Sequence, residues 1–399
     1  MKKTVLAVML SLALGAAAQT ATYTESILYA FGSTSISDGA TPNALVIDSA
    51  GNLYGTTQTG GGSTFCFAGC GMVFKISPTG VETILHIFTN NPDGAVPLSG
   101  LAIDKSDNLY GTTNAGGLNG NGTVFKITAA GKYSVLHKFG KTKSDGLYPF
   151  GPVVLDSAGN IYGTTEQGGS TSNLCVGNGS TGCGTIFKIT PKGVESILYK
   201  FTGEADGAYP VTNLVRDSKG NLYGSNISNV LFKVSSTGVE TTLYTFLGVD
   251  ELLDGSYTAR TSAGTFYGDF DYPNGTSDGL WQVTSGGVET TYTLCTNCSS
   301  TSADGAGFNG PLLLSGGIVY GTASAGGVSG GGAVYEFDPT SSTETILYNF
   351  PNPGSSSSDG WTPNAGVIMD SAGNLYGTTI AGEYFGNGQM GTVFKLTKN

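Results

Sequence analysis

The chain is poor in the residues on which most catalytic and nucleic-acid sites depend. Only two of its 399 residues are histidine (His86, His137), only two are arginine (Arg216, Arg260), and charged residues make up just 12%. Both histidines stand in strand-like runs at a position that is tyrosine in other copies of a repeat (Tyr29, Tyr199, Tyr244, Tyr348). They read as repeat variation, which leaves no Ser-His-Asp or Cys-His site and no histidine-rich metal site. Scarce arginine on a chain of formal net charge −11 argues against nucleic acid and anionic membrane as partners. No sustained 3.6-residue apolar period occurs outside the first residues, so helices are nearly absent. The glycine run GGLNGNG (116–122) enters a strand and not a helix, so it is no phosphate cradle.

What the chain has is glycine, 64 residues and about twice the usual ~7%, and a repeat. A tyrosine followed by glycine returns at Tyr54, Tyr110, Tyr162, Tyr223, Tyr267, Tyr320 and Tyr376, in phrases such as GNLYGTT (51–57), DNLYGTT (107–113) and GNIYGTT (159–165). A period of this size marks a repeat architecture. From Asp38 one copy reads as an Asp-Gly turn, PNALVID (42–48), the turn SAGN, LYGTT (53–57), a glycine-rich loop, MVFKI (72–76), the turn SPTG, and VETILHIF (81–88). Short runs of β-branched and aromatic residues between turn residues predict four antiparallel strands, A to D.

The chain ends fix the topology. ESILYAF (25–31) matches strand D of other copies, and GTVFKLTKN (391–399) matches strand C and stops. Pairing the two closes a ring of seven complete sheets with no long free edge at the seam. The expectation is an all-β, seven-bladed β-propeller with four antiparallel strands per blade, one domain over residues 19–399.

Residues 1–18 read as a signal peptide: Lys2 and Lys3, an apolar stretch from Val5 to Leu14, and Ala16-Ala17-Ala18 before the cut. The stretch is too short to span a bilayer and no cysteine marks a lipid anchor. Cleavage removes two lysines, takes the net charge to −13, and implies a secreted protein, extracellular or periplasmic. The six cysteines fit that compartment as structural disulfides. Cys66 and Cys70 share the B–C loop of blade 1, Cys175 and Cys183 that of blade 3, while Cys295 and Cys298, read as following strand D of blade 6, form a third local pair. No helix is predicted that would tune the last pair for redox work.

In an up-and-down blade the D–A connection and the B–C loop emerge on one face. The A–B and C–D turns on the other face are short and uniform, whereas the B–C loops differ widely, so the binding surface is expected on the first. That face also carries a ring of Asp-Gly pairs: Asp38, Asp93, Asp145, Asp206, Asp254, Asp304 and Asp359. Such a ring suits cations or a polyhydroxylated ligand, and Asp-Gly is equally what a tight turn wants. A second series in the A–B turn, Asp48, Asp104, Asp156, Asp217 and Asp370, reads as hairpin bracing. Blades 4 and 5 place Arg216 and Arg260 in strand A where others have Ile, Leu or Met, two guanidiniums for an anion at the central channel or for nearby acids. Blade 5 gathers Asp269, Asp271, Asn274 and Asp278 in DFDYPNGTSD, a loose calcium candidate. Trp361 offers a face for sugar stacking, and Trp281 fills an aromatic packing position of strand C.

The phrases GNLYGTT, the GG loop, GTVFKI and GVETILYxF together resemble the GloVer tandem repeat of bacterial secreted proteins with a choice of C-terminal anchors, over essentially Glu25 to Asn399. The resemblance implies export and a propeller-like fold, and carries no catalytic residues. This chain departs from it by ending at strand C without an anchor segment, which suggests release, and by Thr261 and Leu314 where the A–B aspartate belongs. The reading is a monomeric, non-catalytic propeller that binds an extracellular glycan or protein through its loop face, with calcium the one cofactor its residues suggest. Competing readings are a carbohydrate-active hydrolase or lyase with an acidic central cleft, and a purely structural envelope protein.

Overall fold

The computed structural model describes residues 22–32, 38–142, 144–169, 174–177, 180–246, 258–271, 277–296, 306–308, 310–351, 359–381 and 390–399, among which there is no helix. The expected signal peptide, Asp254, Asp304, Asn274 and Cys298 lie outside them. Seven antiparallel four-stranded sheets form a ring, a seven-bladed β-propeller. In blade 1 strand B is Leu53–Gly60, strand C Met72–Ile76 and strand D Glu82–Ile87.

Burial explains the sequence grammar. Each blade is covered on both faces by its neighbours, so LYGTT and MVFKI are buried almost residue by residue, while the outer strand ETILHI is half exposed and mixes Glu and Thr with Ile and Leu. Phenylalanines at the end of strand D pack edge-on against the strand C aromatic of the next blade. Examples are Phe31 with Phe74 at 5.0 Å, Phe88 with Phe125 at 5.3 Å, and Phe350 with Phe394 at 5.1 Å. Such a pair contributes ~0.5–1.5 kcal/mol beyond its buried area.

The ring closes as the ends of the sequence suggest. Tyr23–Ala30 runs antiparallel to Thr392–Lys398, with Ile27 opposite Phe394 and Glu25 opposite Leu396. The N-terminal strand thus becomes strand D of blade 7.

Two details differ from the sequence reading. Strand A is not continuous: in blade 1 it pairs with strand B as Gly39–Pro42 and again as Val46–Ile47. The break follows from the residue before the proline, which takes a left-handed conformation in five blades: Thr41, Val96, Tyr148, Tyr209 and Thr362, with φ between 54° and 60°. Left-handed backbone is costly for β-branched residues, and here each N–H is held by the preceding blade. Thr41 donates to the Met390 carbonyl at 2.9 Å, Val96 to Cys70 at 2.9 Å, and Tyr209 to Cys183 at 2.8 Å. Strand A is bent so that its backbone zips each blade to the one before. The second difference concerns Glu289–Thr296, which contains Cys295. It belongs to the sheet of Ala259–Arg260 and is strand D of blade 5, not blade 6.

Candidate functional site

The Asp-Gly aspartates that the structure describes turn inward. Asp38 is buried; its Oδ1 accepts the Gly39 N–H at 2.9 Å and its Oδ2 the Gly32 N–H at 3.0 Å. The Tyr29 hydroxyl lies 3.0 Å from Asp38 Oδ2 and 2.9 Å from Glu82 Oε2, so an outer-strand tyrosine joins two carboxylates from the D–A connection and the next blade. One hydroxyl proton cannot serve two carboxylates, and a further proton completes the set. Burial first, then the Asp38 charge, pushes the Glu82 carboxyl up to about 7. Equivalent groups recur around the ring. Tyr199 donates to Asp206 at 2.8 Å and Tyr348 to Asp359 at 2.9 Å. Beside Asp359, burial and that charge raise Glu25 to about 7.

The histidines occupy this same position and give two different outcomes. His86 Nε2 meets Asp93 Oδ2 at 2.9 Å, and the place of the glutamate is taken by Tyr133, whose ring stacks on His86 at 3.6 Å. His137 keeps both carboxylates, Asp145 and Glu195, each with an oxygen 3.6 Å from Nε2. Asp145 Oδ2 accepts the Lys141 N–H at 3.0 Å, while its buried Oδ1 has no hydrogen-bond partner. Burial pushes Glu195 up, His137 pulls it part of the way back, and the Asp145 charge adds to the rise, leaving it at about 7. A cavity of ≈ 690 Å³ opens beside the cluster in the groove between blades 2 and 3, lined by Leu118, Asn119, Lys141 and the two side chains His137 and Glu195. As a sequence pattern both histidines are repeat variation; the signal that marks the site is the glutamate of the G-V-E phrase, which supplies the third group.

The B–C loops share a face with the D–A connections through backbone bonds such as Gly61 N–H to the Asp38 carbonyl at 3.2 Å and Gly169 N–H to that of Asp145 at 3.0 Å. Disulfides Cys66–Cys70 and Cys175–Cys183 staple two of these loops. Cys295 is also disulfide-bonded. Large apolar side chains stand exposed on the loops: Phe65 and Phe67 flanking Cys66, with Leu118, Leu174, Val328 and Met390 on other blades.

Other singled-out residues are built into blade contacts. Arg216 lies over the Tyr162 ring at 5.6 Å and Arg260 over Tyr223 at 4.7 Å, each on the tyrosine of the preceding blade. Asp269 and Asp278 are buried, and Asp278 Oδ2 accepts the Gly307 N–H of blade 6 at 2.9 Å. Asp271 pairs with Asp278 in register. Trp361 is half-buried and opens strand A of blade 7, paired with Ala381 at the loop end of strand B.

The A–B aspartates brace the hairpin as expected. Asp48 Oδ1 accepts the N–H groups of Ala50 and Asn52, and Oδ2 accepts Asn52 Nδ2 at 2.7 Å and the Tyr54 hydroxyl at 3.0 Å. Burial pushes this carboxyl up, but those donors outweigh it and hold it below its ordinary range. In blade 5, Thr261 Oγ1 takes the Thr265 N–H instead and the Tyr267 hydroxyl accepts from Gln282 Nε2.

Fold and site together define a closed seven-bladed propeller with braced inner hairpins, carboxylate-bridged outer strands and a face of variable loops. The Gloeobacter/Verrucomicrobia repeat matches residues 16–176 and 66–281, and the chain belongs to that family. No curated protein matches the sequence. Among solved structures, a candidate gluconolactonase is similar at 11% identity and TM-score 0.46, with 94% of this chain and 92% of that one covered. A gluconolactonase from Xanthomonas campestris is similar at 12% identity and TM-score 0.45, with 94% and 90% covered. At that distance neither carries an argument about activity.

Proposed function

We propose that this is an exported, non-catalytic propeller that binds an extracellular protein through the face formed by its D–A connections and B–C loops. The observation that supports the reading is Phe65 and Phe67, 70% and 111% exposed on a loop stapled by Cys66–Cys70. A disulfide-pinned loop loses less freedom on binding than an open one, and two solvated phenyl rings are what a partner's apolar surface would cover. Leu118, Leu174, Val328 and Met390 extend this character around the face. Beneath them the buried Asp38, Asp145 and Asp206 tie the D–A connections in place. Disulfides fit an oxidising compartment, and among the described residues no helix is long and apolar enough to cross a membrane.

The test is saturable binding of the purified mature chain to extracellular proteins of its host, with a polysaccharide panel beside it. Phe65→Ser/Phe67→Ser should abolish protein binding while leaving the circular dichroism unchanged. Retention on a glycan that depends on Trp361 and ignores the phenylalanines would replace the protein partner by a sugar. Product release from any polysaccharide would overturn the non-catalytic reading.

A further inference from the structure

We infer that His137, Asp145 and Glu195 form a binding site for one divalent transition-metal cation, for which Zn²⁺ is the fitting probe. This site lies in the groove between the outer strands of blades 2 and 3 and does not rest on the loop-face reading.

Geometry comes first. One ligand atom from each side chain lies within 4.8 Å of the others. The imidazole Nε2 stands 3.6 Å from Asp145 Oδ1 and 3.6 Å from Glu195 Oε2. These separations are too long for hydrogen bonds. They are close to the edge of a tetrahedron of ligands at Zn–N and Zn–O distances of about 2.1 Å, which is about 3.4 Å.

The second observation is independent of the clustering. The Asp145 side chain is only 3% exposed, yet its Oδ1, the oxygen that faces His137, has no hydrogen-bond partner; His137 Nε2 is likewise without one. A buried carboxylate oxygen left unpaired is costly. The equivalent places bridge the same frame without an ion, although at the seam Glu82 Oε1 is also buried without a partner. At the seam, Tyr29 hydrogen-bonds both Asp38 and Glu82. Between blades 1 and 2, His86 closes on Asp93 at 2.9 Å and no second carboxylate is present. Only at His137, among the described interfaces, does an imidazole face two carboxylates at ligand spacing.

Chemistry selects the ion. Two carboxylates neutralise a dication, and an imidazole nitrogen favours Zn²⁺ and its neighbours over Ca²⁺ or Mg²⁺. Three protein ligands leave a fourth position open, and the ≈ 690 Å³ cavity lined by His137 and Glu195 adjoins the cluster. The ion would join blade 2 to blade 3, the job a tyrosine hydroxyl does at the seam.

The experiment is calorimetric titration of the chelator-treated mature chain, disulfides intact, with Zn²⁺. One ion per chain is expected, with Ca²⁺ and Mg²⁺ failing to compete at equal concentration. His137→Tyr and Glu195→Gln should each weaken Zn²⁺ by more than the roughly tenfold loss typical of an outer-shell partner. His86→Tyr should leave the affinity unchanged. His137→Tyr installs the residue native to Tyr29 and Tyr199, so its fold is expected to hold; if one variant unfolds, the other carries the comparison. No Zn²⁺ uptake by the wild-type chain, or uptake that survives both variants, overturns the site.

Discussion

Pro97 of blade 2 presses its Cδ against Gly71 of blade 1, 2.8 Å from where a Cβ on that glycine would stand. The pairing recurs as Pro149 on Gly122, Pro210 on Gly184, Pro363 on Gly332 and Pro42 on Gly391, and at each a strand B carbonyl of the same blade, that of Thr57 for Gly71, crowds the Cβ position as well, so a glycine precedes strand C. Gly71 also has φ +84°. Gly71→Ala should therefore lose ~2–4 kcal/mol from strain and forced separation of the blades. Gly131→Ala, at φ +80° with nothing within 4 Å, should lose only about 1 kcal/mol. Urea midpoints of the two variants measure the difference, and equal losses would remove crowding by Pro97 and the Thr57 carbonyl as the cause.

Removing a hairpin brace strands several donors at once. Asp156 accepts from Ala158, Asn160 and the Tyr162 hydroxyl. Asp156→Ala should cost ~2–3 kcal/mol, read from chemical unfolding.

Stability should fall as pH rises from about 4.5 to about 7. Glu25 and Glu82 both bind their protons more tightly when folded, each raised to about 7 from the ordinary 4.5. The native state then holds more protons than the unfolded chain within that window, so the stabilisation is complete below it and lost above it. Both groups are only about half buried, so solvent screening limits the effect. Melting temperature against pH should slope downward there and flatten in Glu82→Gln; an upward slope unaltered by the variant would refute the shared-proton arrangement.

Cys66–Cys70 and Cys175–Cys183 close short loops, of sequence separation 4 and 8. Chain entropy gives ~2–3 kcal/mol apiece. Replacing Cys66 and Cys70 by serine should lower the melting temperature modestly and weaken binding strongly, because the loop that presents Phe65 and Phe67 is released.

A chain starting at Gly32 would leave the Thr392–Lys398 edge unpaired. Exposed edges template association, so light scattering should show larger species than the intact chain gives, and a synthetic 22–31 peptide should reverse them.

Much of this molecule was legible in the sequence because its physics is local and repeated. Turn chemistry, the period-two apolar runs and the split strand D at the two ends determined the all-β ring, its seven blades and its seam, and the D-x-x-G-N-L-Y spacing determined the braced hairpin. Residues 66 and 70, four apart, can meet within a single loop. What depends on two blades at once was decided only by the tertiary structure. Strand A bends at Thr41 because the preceding blade accepts its N–H, and Arg216 finds its partner in Tyr162 across a blade boundary. Glu195 stands 50 positions from Asp145 in the chain and beside it in space. A linear pattern can show that His137 replaces a tyrosine, but which carboxylates face it is set by how adjacent sheets twist and stack around the ring.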